Sequence, residues 1–389
     1  MRVAIVTESF LPTVNGVTTS VLRVLDHLER RGHKAIVIAP AGRGHDSYGP
    51  ARVHRVPSVA YRQFPVGLPS PVVAGALADF CPDVVHVASP FLLGGHAIAA
   101  AARLGLPSVA VFQTDVARYA STSGLGPVTA AVAWRLVRRL HEQATVTLVP
   151  SSASLRDLRR AGVDRLATWG RGVDSVRYHP NRRGAGGSAA FRTAVGAAPG
   201  EALVGYVGRL APEKQVERLA ALHRTPGTRF VVVGDGPALP SLRRRLRHLD
   251  PVFTGALHGD ELADAYAALD VFVHTGVTET FGQTVQEAHA SGTPVVAPAA
   301  GGPLDLVRHG VDGFLVDPLH DHSLRRAVRL LVDDPALRAR FGEAGRRAVV
   351  GRTWERLGDE LLGHYADAVA APAVPARASA RARQLSATS

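Results

Sequence analysis

The chain contains one cysteine, Cys81, in 389 residues. A single thiol closes no internal disulfide and assembles no cysteine-based metal site. Lysine is almost as scarce. Of 45 basic residues only Lys34 and Lys214 are lysine, and the rest are arginine. A lysine kept against such a bias marks a place where a compact ammonium serves better than a broad guanidinium. Lys34 merely opens a strand, so Lys214 is the position of interest. Long hydrophobic runs are missing too. The most apolar stretch, Gly94–Phe112, carries His96 and Arg103 and consists largely of Ala and Gly, which does not suit a membrane span. The first residues, Met1–Thr7, read as a strand with no apolar leader, so a reducing cytoplasm is the expected location. The 39 glycines and 26 prolines make up about a sixth of the chain. That is well below the ~25–30% of low-complexity sequence, and no short period repeats, so collagen-like and coiled-coil arrays are excluded.

What remains is an ordinary globular composition, 46% hydrophobic and 20% charged, long enough for two domains. The net charge of +12 points to nucleic acid, an anionic membrane surface or a polyanionic small substrate. In the first half, short Val/Ile-rich runs at Val3–Thr7, Ala35–Ala39, Val84–Val87, Ser108–Phe112 and Val146–Val149 alternate with helical patterns such as Val17–Arg31. The second half restarts at Leu203–Val207 and continues through Phe230–Val233, Val252–Thr254, Val271–His274, Pro294–Ala297 and Phe314–Val316. Apolar runs without alternation suit parallel strands buried on both faces. Strand–helix alternation predicts two doubly wound α/β domains. The expected boundaries are an N-terminal domain over 1–178, a Gly-rich linker over 179–199 and a C-terminal domain over 200–350. Helices follow to about 370, and a tail over 371–389 is expected to be disordered because its apolar content cannot offset ordering entropy.

Ligands of open α/β sheets sit at the carboxyl ends of strands, so the residues following each strand are the candidates. After the first strand, Asn15 and Gly16 precede a helix; they make either an anion-binding turn or a plain strand–helix connection. Gly208-Arg209-Leu210-Ala211-Pro212-Glu213-Lys214 places two cations at what reads as a helix start, a setting for a diphosphate or a solvated charged loop. Gly234-Asp235-Gly236-Pro237 is half a dinucleotide fingerprint and fits a turn near a nucleotide. Most specific is Glu279-Thr280-Phe281-Gly282-Gln283-Thr284-Val285-Gln286-Glu287. Its two glutamates bracket a helix start and can each accept paired hydroxyls, as a sugar nucleotide would offer; the alternative is two unrelated surface acids.

These motifs, with Ala299-Ala-Gly-Gly-Pro303 and Asp312-Gly-Phe-Leu-Val316, resemble the retaining glycosyltransferase family 4 over nearly the whole chain. The runs Thr7–Val17, Phe112-Gln-Thr-Asp115 and Arg171-Gly-Val-Asp174 are most similar to actinobacterial GDP-mannose-dependent α-mannosyltransferases acting on lipid acceptors. The resemblance implies a GT-B fold, two Rossmann-like domains facing across a cleft, with the helix at about 353–370 crossing back to the first. It implies Arg209 and Lys214 on the donor diphosphate, and Glu279 on hexose hydroxyls aided by the N–H groups of Phe281 and Gly282. It also implies Glu287 on the ribose, Gly16 near the β-phosphate, and Thr284 on phosphate. Asn15, Gly208 and Gln283 belong to the same donor set, and the base lies near Gly234, Gly236 and Leu257. Where many family members have a histidine, this chain has Gln113, which can hydrogen-bond a hydroxyl but cannot act as acid or base; Asp115 is a further sugar or acceptor contact.

No Asp-x-Asp pair occurs, so no obligatory metal is expected; arginine, lysine and helix dipoles would neutralise the leaving group. The expected reaction moves a hexose from GDP-mannose, or alternatively a UDP-hexose, to a lipid or sugar hydroxyl. Two other classes fit poorly. A dinucleotide oxidoreductase lacks its third glycine and ribose acid. A nucleic-acid binder would rest on Arg243–Arg245, which lacks interleaved aromatics. The basic amphipathic stretch Trp134–Leu140 fits either an ordinary core-facing helix or peripheral contact with an anionic membrane.

Overall fold

The computed structural model describes residues 1–13, 15–42, 44, 46–61, 64–113, 126–223 and 225–372. Asp115 and the tail beyond 372 lie outside the described residues. The chain divides into two compact units. The first comprises Met1–Val149, Leu155–Trp169 and the chain from Gly358; the second comprises Pro150–Ser154 and Gly170–Leu357.

In the first unit, β1 (Arg2–Val6), β2 (Lys34–Pro40), β3 (Ser47–Tyr48), β4 (Ala51–Val56), β7 (Val84–Val87), β8 (Ser108–Val111), β9 (Val146–Val149) and β10 (Leu166–Thr168) form one sheet. Its order is β10-β9-β8-β7-β1-β2-β4-β3, with a small antiparallel hairpin, β5 (Ser58–Tyr61) and β6 (Phe64–Gly67), beside it in sequence. Neighbours are parallel except for β3 against β4. Val3, Ala4, Ile5 and Val6 are all fully buried, as a strand covered by helices on both faces requires. The order turns back between β1 and β7, so the crevice at their carboxyl ends is this unit's natural ligand position.

The second unit has β11 (Ala202–Val207), β12 (Thr228–Val233), β13 (Val252–Gly255), β14 (Val271–Val273), β15 (Val295–Pro298) and β16 (Gly313–Val316), all parallel. Its order, β13-β12-β11-β14-β15-β16, is that of a doubly wound dinucleotide fold with the switch between β11 and β14.

The structure departs from the sequence expectation in several places. β4, with its Ala-Arg-Val-His-Arg-Val alternation, lies next to the sheet edge, where only one strand face needs burial. The segment 179–199, expected as a linker, is folded in the second unit. It holds a 3-10 turn, Pro180–Arg182, and a helix, Gly186–Ala194. Charge fixes it there: Arg182 pairs with Asp264 at 2.9 Å, Arg183 with Asp270 at 3.0 Å and Arg192 with Asp270 at 2.8 Å. The helix expected to start after Lys214 is instead a pair of 3-10 segments, Pro212–Lys214 and Val216–Leu222, because Gln215 takes a left-handed conformation (φ 49°) that interrupts an α-helix.

The last helix, Trp354–Ala370, joins the first unit from Gly358 onward. Asp359 contacts buried His27 at 3.0 Å and Arg31 at 2.6 Å. Gly358 packs directly on the His27 ring, where a Cβ would come within 2.4 Å of Cγ. Deeper in, fully buried Tyr365 places its hydroxyl 2.7 Å from Nδ1 of buried His86, and the two rings meet edge to face. Tyr365→Phe removes that bond and strands a buried imidazole nitrogen. The expected loss is about 1–3 kcal/mol in the unfolding of the first unit. Urea denaturation measures it, and a loss below about 0.5 kcal/mol would mean that the ring contact alone secures the helix.

Candidate active site

Three loops meet at the switch point of the second unit. The turn after β11 and the turn after β12 are interleaved through backbone hydrogen bonds. Gly208 N–H donates to Val233 at 3.0 Å, Leu210 N–H to Asp235 at 2.9 Å, and Ala238 N–H to Leu210 at 2.9 Å. This approach is open only to glycine. A Cβ on Gly234 would lie 2.0 Å from the Gly208 carbonyl oxygen, and one on Gly236 would lie 2.4 Å from that of Leu210. The half-fingerprint Gly234-Asp-Gly236 is therefore a packing device between two turns.

The 3-10 turn that ends at Lys214 is held to the loop after β14. Thr275 Oγ1 donates to the Lys214 carbonyl at 2.7 Å and Thr278 Oγ1 to that of Glu213 at 3.4 Å. Across this junction Lys214 Nζ donates to Glu279 Oε2 at 2.6 Å. Burial alone would push the Glu279 carboxyl up, but Lys214, with His274 and Arg171 nearby, holds it down at about 2. His274 follows β14, is buried, and lies 3.9 Å from the same oxygen. Arg209 pairs with Glu213 and leaves half of its side chain in solvent.

The Glu279 loop is set from a third side. Gly302 N–H donates to the Glu279 carbonyl at 2.8 Å. Gly302 sits so close that a Cβ would fall 2.0 Å from the Phe281 carbonyl oxygen, while the Phe281 ring is buried in the core. Gly282 (φ 104°) then turns the chain into the helix Gln283–Ala290. Thr284 is half-buried in the first turn of that helix.

Other expected donor contacts have partners of their own. Gln283 donates to the Gly172 carbonyl at 3.2 Å and also hydrogen-bonds Glu287. Gln286 donates to the Arg171 carbonyl at 2.9 Å. Glu287 accepts from Tyr266 Oη at 2.9 Å, and desolvation lifts its carboxyl from 4.5 to about 7. Leu257 is half-buried against the core of this unit.

In the first unit Asn15 is the N-cap of the helix Gly16–Arg30. Its Oδ1 accepts from Val17 N–H at 2.9 Å and Thr18 N–H at 3.0 Å, and its Nδ2 donates to Ser9 at 2.7 Å. That carboxamide is occupied in capping, which leaves Gly16 as the helix's first residue. Gln113 follows β8, is buried, and lines a small recess with Phe91, Phe112, Leu136, Leu140 and His141. Glu8, not singled out from the sequence, occupies the β1/β7 switch point. It accepts from Gly94 N–H at 3.1 Å at the start of the helix Leu92–Arg103, and burial raises its carboxyl to about 7. Arg171 was likewise missed as a site residue. The only signal in the sequence was its place in the Arg-Gly-Val-Asp run.

Comparison with known proteins gives the family. Residues 14–177 match the profile described as Glycosyltransferase Family 4, and residues 188–348 match Glycosyl transferases group 1. The chain is 50% identical over 377 residues to a GDP-mannose-dependent alpha-mannosyltransferase of Mycolicibacterium smegmatis, spanning 94% of this chain and 97% of that one. The chain belongs to glycosyltransferase family 4. A second relative of this glycosyltransferase, a GDP-mannose-dependent alpha-mannosyltransferase of Corynebacterium glutamicum, is 45% identical over 95% of this chain and 90% of its own. The fold matches that of Anabaena HepE in complex with UDP and glucose, with a TM-score of 0.77 at 20% identity over 94% and 99% of the two chains. The glycosyltransferase thus has the two parallel-sheet, Rossmann-like units of a GT-B enzyme. Among its described residues no helix is long and apolar enough to cross a membrane.

The Glu287 environment makes a prediction about stability. Its folded pKa lies above its ordinary value, so its contribution is fully present below about pH 4.5 and is lost as pH rises through about 7. Glu287→Gln removes the cost of ionising in place. Allowing for partial solvent contact, the variant should be about 1–2 kcal/mol more stable than wild type at pH 8 and no more stable at pH 4. Paired thermal or urea melts at the two pH values decide it; a gain of the same size at both would point to packing instead.

Proposed function

We propose that this glycosyltransferase moves mannose from GDP-mannose to a hydroxyl of a lipid or glycolipid acceptor with retention of configuration. The high identity to two GDP-mannose-dependent α-mannosyltransferases over nearly the whole chain supports the donor. The observation that carries the chemistry is the Lys214–Glu279 contact of 2.6 Å at the sheet switch point. In a nucleoside-diphosphate hexose the sugar is bonded directly to the β-phosphate. A cation for the phosphate and a carboxylate for the hexose hydroxyls must therefore be neighbours, as these two are.

In this reading Glu279, held ionised, accepts hydrogen bonds from the mannose hydroxyls and fixes the ring. Lys214 turns to the β-phosphate, and Arg209 can leave its exposed pair with Glu213 to join it. As the C1–O bond to phosphate breaks, negative charge grows on the leaving diphosphate, and the cations stabilise it more than they stabilise the ground state. The acceptor oxygen bonds to C1, and its proton passes to the departing phosphate. Glu287 and Gln283 form a preset pair for the ribose diol. Gln113 can orient a hydroxyl at the mouth of its recess, whose apolar walls favour an acceptor with a hydrocarbon part. Peripheral contact with an anionic membrane is supported by the helix Gly126–His141, which exposes Val132 and Leu136 beside Arg135 and Arg139.

Lys214→Met should lower kcat by ~10²–10³-fold, about 3–4 kcal/mol, in a mannosyl-transfer assay with the acceptor lipids. Lys214→Arg should also fall well below wild type, because a planar fork replaces a point charge in a half-buried, tightly fitted pair. Near-full turnover by the arginine variant with unchanged donor KM would reduce Lys214 to a surface cation. A donor panel tests the sugar and base: preference for a UDP-hexose over GDP-mannose would overturn the donor assignment.

A further inference from the structure

His274 is the one buried histidine at the switch point, and the chemistry above leaves it without a task. It is 3% exposed and follows β14, and neither ring nitrogen has a hydrogen-bond partner. The Gly276 backbone lies beside the ring. The ring is 3.9 Å from Glu279 Oε2, the same oxygen that accepts from Lys214 at 2.6 Å. The charged groups around it come from three elements. Glu279 lies on its own loop and Lys214 on the 3-10 turn after β11. Arg218, from the next 3-10 segment, reaches the adjacent Thr275 carbonyl at 3.5 Å. Arg171 faces Glu279 from further off. A buried polar ring of this kind usually finds a partner, so its placement calls for a state in which it has one.

We propose that His274 is a positioning residue that replaces Lys214 as the partner of Glu279 when donor binds. This rests on the assignment of Lys214 to the diphosphate and Glu279 to the hexose. In the free enzyme the Lys214–Glu279 pair is internally neutral and the imidazole beside it is uncharged. When Lys214 turns to the phosphate, Glu279 keeps its charge but loses its cation in a buried site. The imidazole takes one proton from solvent and donates an N–H to Oε2, which restores neutrality. Glu279 thereby stays aimed at the sugar although Lys214 has left. Donor binding is then coupled to proton uptake, and donor affinity strengthens as pH falls toward the imidazole range. With Lys214 close by, desolvation and the lysine charge keep the free-enzyme imidazole down at about 4, in accord with this geometry.

Calorimetric titration with GDP-mannose in buffers of different ionisation enthalpy reads the coupling directly, because a sugar diphosphate diester has no ionisation of its own near neutral pH. The expected result is a heat that rises with buffer ionisation enthalpy, reporting proton uptake, and that loses this dependence in His274→Asn. Binding of GDP-mannose with no buffer dependence in the wild type overturns the inference. A second measurement needs no donor. In Lys214→Met, the His274 imidazole signal, assigned by its loss in His274→Asn, should titrate near neutral pH, whereas in wild type it should not titrate above about pH 5. An unchanged His274 titration in Lys214→Met also overturns it. If GDP-mannose fails to bind the wild type, the donor assignment fails while the Lys214→Met titration still decides the role of His274.

Discussion

The site turns on one half-buried ion pair, Lys214 with Glu279, set across the switch point of a six-stranded parallel sheet. Two charges taken from water cost more than they return unless their geometry is good and their other needs are met. The surrounding loops supply that geometry from three directions. Thr275 and Thr278 tie the Lys214 turn to the loop after β14, and the Gly301–Gly302 turn closes on the backbone of Glu279 and Phe281. None of these contacts involves the charged atoms. In the proposed reading the pair exchanges partners while the loops that carry it stay fixed.

The sheet explains why such loops gather here. Strands buried on both faces admit only apolar side chains, so polar chemistry is confined to the ends where strands become turns. Reversal of strand order between β11 and β14 sends their following turns to opposite faces and opens a crevice between them. The interleaved glycine turns after β11 and β12 form one wall of that crevice, with carbonyl and N–H groups already paired.

Much of this was legible in the sequence. Five strands of the first sheet and all six of the second announced themselves as short apolar runs, whereas β3, β4 and β10, at or next to the edges of the first sheet, did not. Lys214 stood out because lysine is otherwise nearly absent, and Glu279 and Glu287 stood out through their spacing around a glycine. What was not legible depends on contacts between distant segments. The helix expected after Lys214 became 3-10 because of one left-handed residue, Gln215, whose conformation its side chain does not advertise. The Gly-rich 179–199 stretch is ordered by arginines whose partners, Asp264 and Asp270, lie about eighty residues on. Asn15 and Gln283 were read as ligand contacts because a carboxamide suits that role; what the sequence did not show is that one also caps a helix and the other also holds Gly172. Glu8 and Arg171 were passed over because a single charged residue after a strand carries no spacing signal.

Three half-buried glutamates, Glu8, Glu279 and Glu287, follow strand ends or begin the helix beyond one, and their differences show what sets the site apart. Desolvation is the largest influence on each and favours the neutral acid in all three. Glu8 has only backbone N–H groups to oppose it, Glu287 has a tyrosine and a glutamine, and both rise to about 7. Glu279 alone has a cation in direct contact, and it falls to about 2. Neutral donors therefore do not suffice at this depth to keep a carboxylate ionised; a full positive charge does. Of the three, only the one beside the lysine stays ionised well below neutral pH. The lysine kept at position 214 and the fixed charge of Glu279 thus belong together: a compact cation lies close enough to hold the acid ionised.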